Sequence, residues 1–269
     1  MIYLFIFVFG LLIGSFLNVV IIRLPQLQSV VFPSSHCVKC KTPLKWWHNI
    51  PLLSWLFLRG RCHYCKEPIS IQYPLVELLS GIIFVSVYYK MGISIYSAAT
   101  AAVFILLLAL SVIDLKYKAV PDSLNLLALT ISFFTREDIL SALHDALVMM
   151  GAFSLLRFYV SYYVSKKEEM YLKRELKKAP WLRAYYPKYI MIEAMGEGDI
   201  IVAGALGALL GIKLTLVAIF LAALTALPAS ILQKALKSDK ELPFIPFLAL
   251  GGYLSFMFGE QILKLAGIE

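Results

Sequence analysis

The chain has 269 residues, of which 60% are hydrophobic and only 16% charged. Soluble domains carry about a quarter charged residues, so this composition excludes an ordinary soluble domain and a disordered chain alike. A formal net charge of +8 raises nucleic acid as a partner, but the placement of the cations ties them to membrane orientation, and no nucleic-acid partner is expected.

Residues 1–22 are apolar, and the first cation is Arg23. With no basic stretch ahead of it and no small-residue cleavage site, this segment is expected to be an uncleaved first span. Residues 23–73 follow as a small polar domain. It holds two C-x2-C pairs, Cys37-Val-Lys-Cys40 and Cys62-His-Tyr-Cys65, separated by residues 41–61. Two such pairs with a linker of this length fit one tetrahedral four-thiolate site, and zinc is the expected ion. Four cysteines leave no open position for a substrate, so the site is expected to be structural. Trp46, Trp47 and Trp55 lie nearby among Leu52, Leu53, Leu56 and Phe57. Both a small core and an anchor at the membrane interface are open roles for them.

Seven further apolar spans are predicted at 74–90, 95–113, 120–134, 139–164, 199–212, 214–233 and 243–264. The fold class is therefore an all-α polytopic membrane protein of about eight transmembrane helices, with a small zinc-knuckle cytoplasmic domain after the first. The expected organisation is a first helix at 1–22 and the cysteine domain at 23–73. Helices at 74–164, a basic insertion at 165–198 and C-terminal helices at 199–269 complete it. Eight spans place both termini on one side and the loops 23–73, 114–119, 165–198 and 234–242 on the other. Those loops hold 20 of the 25 Lys and Arg residues. Positive residues mark the cytoplasmic side, so both termini are expected outside. Arg157 lies within a span, away from either end. The stretch from Ser165 reads as a charged helix leaving the membrane, with Glu169 and Lys173 at i,i+4 spacing. Pro180 to Tyr189, where aromatics and cations mix, reads as a segment at headgroup level.

Two carboxylates stand at span ends. Asp114 closes the run 101–113, and Asp199 opens the run 200–211 after Gly196-Glu197-Gly198. One span enters the cytoplasm at Asp114 and another leaves it at Asp199, so topology alone puts both at one depth. Asp199 is favoured by the positive end of its helix, whereas Asp114 faces the negative end of its own. Two carboxylates brought within a few ångströms share a proton. One then serves as base on a water while the other polarises a scissile carbonyl. Asp122, after Pro121, is expected to be an N-cap, and Glu77 is expected to cap, pair or join a site.

These residues resemble the bacterial type IV prepilin leader peptidases, membrane aspartic proteases of the G-x-G-D class. The resemblance rests on Gly14-Ser15-Phe16-Leu17-Asn18 with Arg23-Leu24-Pro25, on both C-x2-C pairs, on Asn49-Ile50-Pro51-Leu52-Leu53-Ser54-Trp55, and on Tyr73-Pro74-Leu75-Val76-Glu77. It continues through Ile113-Asp114, Val120-Pro121-Asp122, Glu193 to Asp199, and Pro243-Phe244 with Pro246-Phe247. It implies an enzyme of the bacterial cytoplasmic (inner) membrane with Asp114 and Asp199 as catalytic pair. The site would cut the leader from prepilins or secretion pseudopilins at the cytoplasmic face, with those substrates and the lipid bilayer as the protein's partners. It also implies N-methylation of the new N-terminus with S-adenosylmethionine. The family usually has Lys where Ile201 stands and Gly where Ile245 stands. A G-x-G-D protease for other membrane peptides and a non-catalytic zinc-ribbon assembly factor are the alternatives.

Overall fold

The computed structural model describes residues 1–178, 181, 192–193, 195–235 and 242–267. The aromatic and basic stretch from Pro180 to Tyr189 falls, apart from Trp181, outside the described residues. Nine α-helices are formed among them: α1 (Ile2–Arg23), α2 (Leu53–Phe57), α3 (Gln72–Met91), α4 (Ile95–Tyr117), α5 (Asp122–Ser132), α6 (Ile139–Lys178), α7 (Glu197–Leu210), α8 (Ile212–Ala235) and α9 (Ile245–Leu265). All but α2 correspond to an expected span, and no β-strand occurs among the described residues. Five of the helices (α1, α3, α4, α6 and α8) are long and apolar enough to cross a membrane.

The helices α5 and α7 have 11 and 14 residues. At 1.5 Å per residue α7 is about 21 Å long, short of the roughly 30 Å hydrocarbon core. By contrast α6 runs unbroken for 40 residues, about twice that thickness. It carries the charged stretch beyond Ser165 as continuous helix, where Glu169 and Lys173 pair.

The hub is α4, which packs against α1, α3, α5, α7 and α9. Leu107, Ala109, Leu110 and Ile113 on it are fully buried. Around it the helices pair as α1 with α3, α6 with α7, and α8 with α9. The first pair is close because of two small residues one turn apart. A Cβ at Gly14 would lie 2.7 Å from the Glu77 Cα, and one at Gly10 would lie 2.8 Å from the Gly81 Cα. Ser80 Oγ donates to the Gly10 carbonyl at 2.6 Å. In a bilayer such contact replaces the hydrophobic drive that water would supply. Large apolar side chains such as Phe5, Leu12 and Phe16 are exposed along the bundle, as a lipid-facing surface requires.

One helix start differs from expectation. The N-cap of α5 is Pro121, with no side-chain capping bond, and Asp122 is the first helical residue. Proline's fixed φ ends the preceding link and leaves the Asp122 side chain exposed in the first turn.

Candidate active site and metal centre

The cysteine domain is built from two copies of one turn. In each, the first cysteine amide bonds three-dimensionally back to the chain beyond the second cysteine: Cys37 N–H donates to the Thr42 carbonyl and Cys62 N–H to the Glu67 carbonyl. Lys41 and Lys66, the residues after Cys40 and Cys65, both take positive φ, 58° and 59°. Lys39 of the first turn pairs with Glu67 of the second at 2.5 Å.

The four sulfurs, of Cys37, Cys40, Cys62 and Cys65, all lie within 4.8 Å of one another. Cys37 Sγ and Cys65 Sγ are 3.7 Å apart. A disulfide needs about 2.05 Å, whereas thiolates held about 2.3 Å from one tetrahedral ion stand roughly 3.8 Å apart. All four cysteines are free, and they are positioned to bind a metal ion. Their acidities give the electrostatic reason. The Thr42 side chain, then its amide, pulls the Cys40 thiol down to about 6. Cys65 is pushed up to about 11: a bond from the Glu67 amide pulls it down, but burial and the thiols of Cys62, Cys40 and Cys37 outweigh it. The four cannot all ionise without a cation among them.

Trp55 belongs to the small core of this domain, with its ring under Gly60 and Nε1 donating to the Ile69 carbonyl at 3.2 Å. Trp46 and Trp47 are exposed.

The second centre lies where α4 ends and α7 begins. Asp114 is in the last turn of α4 and Asp199 in the first turn of α7, each only 8% exposed. The two carboxylates are close enough to interact electrostatically. Both are held by backbone amides at helix starts. Asp199 accepts from Gly196 N–H at the N-cap of its own helix. Asp114, at the unfavourable end of α4, is bonded to the backbone N–H of Ile245, the first residue of α9. The positive end of a second helix thus offsets the negative end of the first. The same end of the bundle carries the cysteine domain, since Tyr73 at the start of α3 lies within electrostatic reach of both Cys37 and Tyr117.

Three residues that sequence reading did not assign fix the start of α7. Asn125, fully buried on α5, donates from Nδ2 to the Gly198 carbonyl at 3.1 Å. Arg157 on α6 bonds Glu197 at 3.1 Å and Glu193 at 3.2 Å. Its signal was present, because a lone cation within an apolar span needs a partner. Val120 presses on Gly198, where an added Cβ would lie 3.0 Å from it. That close approach is why the second glycine of Gly-Glu-Gly-Asp stands there. Glu77 does not reach the pair. It accepts from Leu52 N–H at 2.8 Å and from Ser15, and so ties the cysteine domain to α3.

A bundle of lipid-facing helices with a four-cysteine metal site at one end defines a multi-pass membrane protein, and comparison with known proteins narrows the class. A model of the bacterial peptidase A24 N-terminal domain matches residues 8–91, and a model of the type IV leader peptidase family matches residues 101–231. The prepilin leader peptidase/N-methyltransferase of Xanthomonas campestris pv. campestris is 35% identical over 97% of this chain and 94% of its own length. The protein of that name from Neisseria gonorrhoeae is 31% identical over 96% and 91%. The one from Myxococcus xanthus is 40% identical over 77% of this chain and 55% of its own length. No solved structure gives a significant match. The chain belongs to the type IV leader peptidase family.

Proposed function

We propose that this protein is a membrane aspartic endopeptidase that removes the leader of type IV prepilins or pseudopilins. We further propose that it methylates the new N-terminal residue. The observation that carries the first part is that Asp114 and Asp199 are both buried, within electrostatic reach of each other, and each bonded to a backbone amide at the start of a helix. The pair shares one proton. The ionised member takes a proton from water as the water oxygen bonds to the scissile carbonyl carbon. The protonated member donates to the carbonyl oxygen. When the C–N bond breaks, the proton taken from water passes to the leaving amine. Gly196 leaves room beside Asp199 for an extended peptide backbone, since an added Cβ there would lie 3.6 Å from Asp199 Oδ2, an ordinary contact. The distribution of Lys and Arg supports a site facing the cytoplasm, with both termini on the far side.

Zinc is the metal we assign to Cys37, Cys40, Cys62 and Cys65, because four soft thiolates in a closed set suit it. It would cross-link a domain too small to hold together on its core alone. For methyl transfer the donor we assign is S-adenosylmethionine, which supplies an activated methyl group. We place its flat ring against an aromatic cluster on the cysteine domain. His48 and His63 are stacked with ring centroids 4.6 Å apart, and Trp47 and Tyr64 pack edge-on against His48. His48 Nδ1 is buried with no hydrogen-bond partner among the described residues.

Co-expression with a prepilin, with the product N-terminus read by mass spectrometry, tests both halves at once. The expected product lacks its leader and carries one added methyl. An intact leader in the presence of folded, inserted protein would overturn the peptidase, and a cut but unmethylated product would overturn the methyltransferase.

A further inference from the structure

The helix α2 has two faces. Trp55 turns inward beneath Gly60. Leu53, Leu56 and Phe57, at i, i+3 and i+4, form the opposite face and are 52%, 63% and 83% exposed. Trp46, in the turn packed against α2, is 75% exposed. Taking apolar side chains of this size out of water is favourable, so a face of three with a tryptophan beside it calls for an occupant.

A hydrogen bond at the root of α2 decides which. Leu52 N–H donates to Glu77 Oε2 at 2.8 Å, and Glu77 lies in the second turn of the membrane helix α3. That helix has 20 residues, about 30 Å, which matches the hydrocarbon core. Glu77 therefore sits about 8 Å inside its end. Its side chain leans toward the helix start, which sets Leu52 at the boundary between acyl chains and headgroups. On α3 itself, Leu75 and Leu78 are exposed at that level, so the α2 face continues a lipid-facing surface. Arg59 and Arg61 follow directly and are exposed, with Lys45 near the opposite end.

We propose that α2 lies in the plane of the membrane interface and anchors the cysteine domain to an anionic phospholipid surface. Leu53, Leu56 and Phe57 enter the acyl region, and Arg59 and Arg61 meet headgroup phosphates. Aromatic and aliphatic residues on one face with cations beside them is the composition that interfacial helices share. The anchor holds the metal domain down against the bundle end instead of leaving it free on its two tethers.

The test uses the full-length protein with Phe57→p-benzoylphenylalanine, reconstituted in nanodiscs of phosphatidylcholine alone or mixed with phosphatidylglycerol. On illumination, phospholipid adducts are expected at residue 57, with a severalfold higher yield in the mixed discs. Adducts confined to this chain or to a second copy would overturn the proposal, as would none at all. Equal yields in the two lipids would overturn the headgroup contact of Arg59 and Arg61. Bound metal, measured in the same sample, reports whether the domain is folded. Should that variant lose its metal, Leu56→p-benzoylphenylalanine probes the same face with the same expected and overturning outcomes.

Discussion

The two centres hold negative groups together by opposite means. In the cysteine domain four thiols converge from two turns made by short-range hydrogen bonds, Cys37 and Cys65 being 28 residues apart. They are positioned for a cation from outside the chain to answer their mutual repulsion. At the bundle end two carboxylates converge from helices far apart in sequence, and the chain supplies its own answer in the amides of Gly196 and Ile245. A divalent ion offsets half of the charge of four thiolates and locks the geometry. Amides neutralise in part and leave a proton free to be shared, which suits a stapled domain in the first case and acid–base chemistry in the second.

That contrast is tested most severely at the carboxylates. Asp114→Asn and Asp199→Asn should each lower prepilin cleavage by about 10²–10⁴-fold, and the double variant should be no worse than either single, because the pair acts as a unit. Metal content and membrane insertion should stay as in the parent. Strictly additive losses would mean that the two do not work together. At the other centre, Cys37→Ser or Cys62→Ser should bring bound zinc to near zero and open residues 23–73 to protease. Methylation should be lost, while cleavage stays within about tenfold of the parent, a change of roughly 1.4 kcal/mol. Equal loss of cleavage would show that the two centres are not separable.

Smaller effects report on how α7 is seated. Gly198→Ala should cost about 1–3 kcal/mol through overpacking against Val120. Cleavage should fall by about tenfold and be restored in part by Val120→Ala. Failure of the second change to rescue the first would locate the strain elsewhere. Smallest is Arg157→Gln. Glu193 and Glu197 are 73% and 79% exposed, so screening limits each pair to about 0.2–1 kcal/mol. Cleavage should drop by no more than about fivefold, and the gap to the parent should narrow in high salt.

The thiol centre was legible in the sequence because its ligands are chemically distinctive and lie close along the chain. The carboxylate pair was legible for a different reason: alternating spans bring Asp114 and Asp199 to one depth whatever the detailed packing. What surrounds the pair was not. Asn125 and Arg157 act across helix interfaces whose register depends on side-chain packing along α5, α6 and α7, and no local pattern encodes that. The donor to Asp114 left no trace at all, since every residue but proline carries a backbone N–H. The early α5 start at Pro121, with Asp122 inside the helix, shows the same limit at the scale of one residue.

The bond from Ile245 to Asp114 divides two duties within a single residue. The sec-butyl side chain, 1% exposed, fills the core, while the amide serves the carboxylate. Mutation can therefore exchange that side chain for another apolar one of similar bulk, and the chemistry will not register the change. Only proline deletes the donor, and prolines already stand close by at 243 and 246. Position 245 is thus tolerant in identity and intolerant in one respect alone, a pattern of permitted variation that a departure from a family motif would otherwise misrepresent as loss of function.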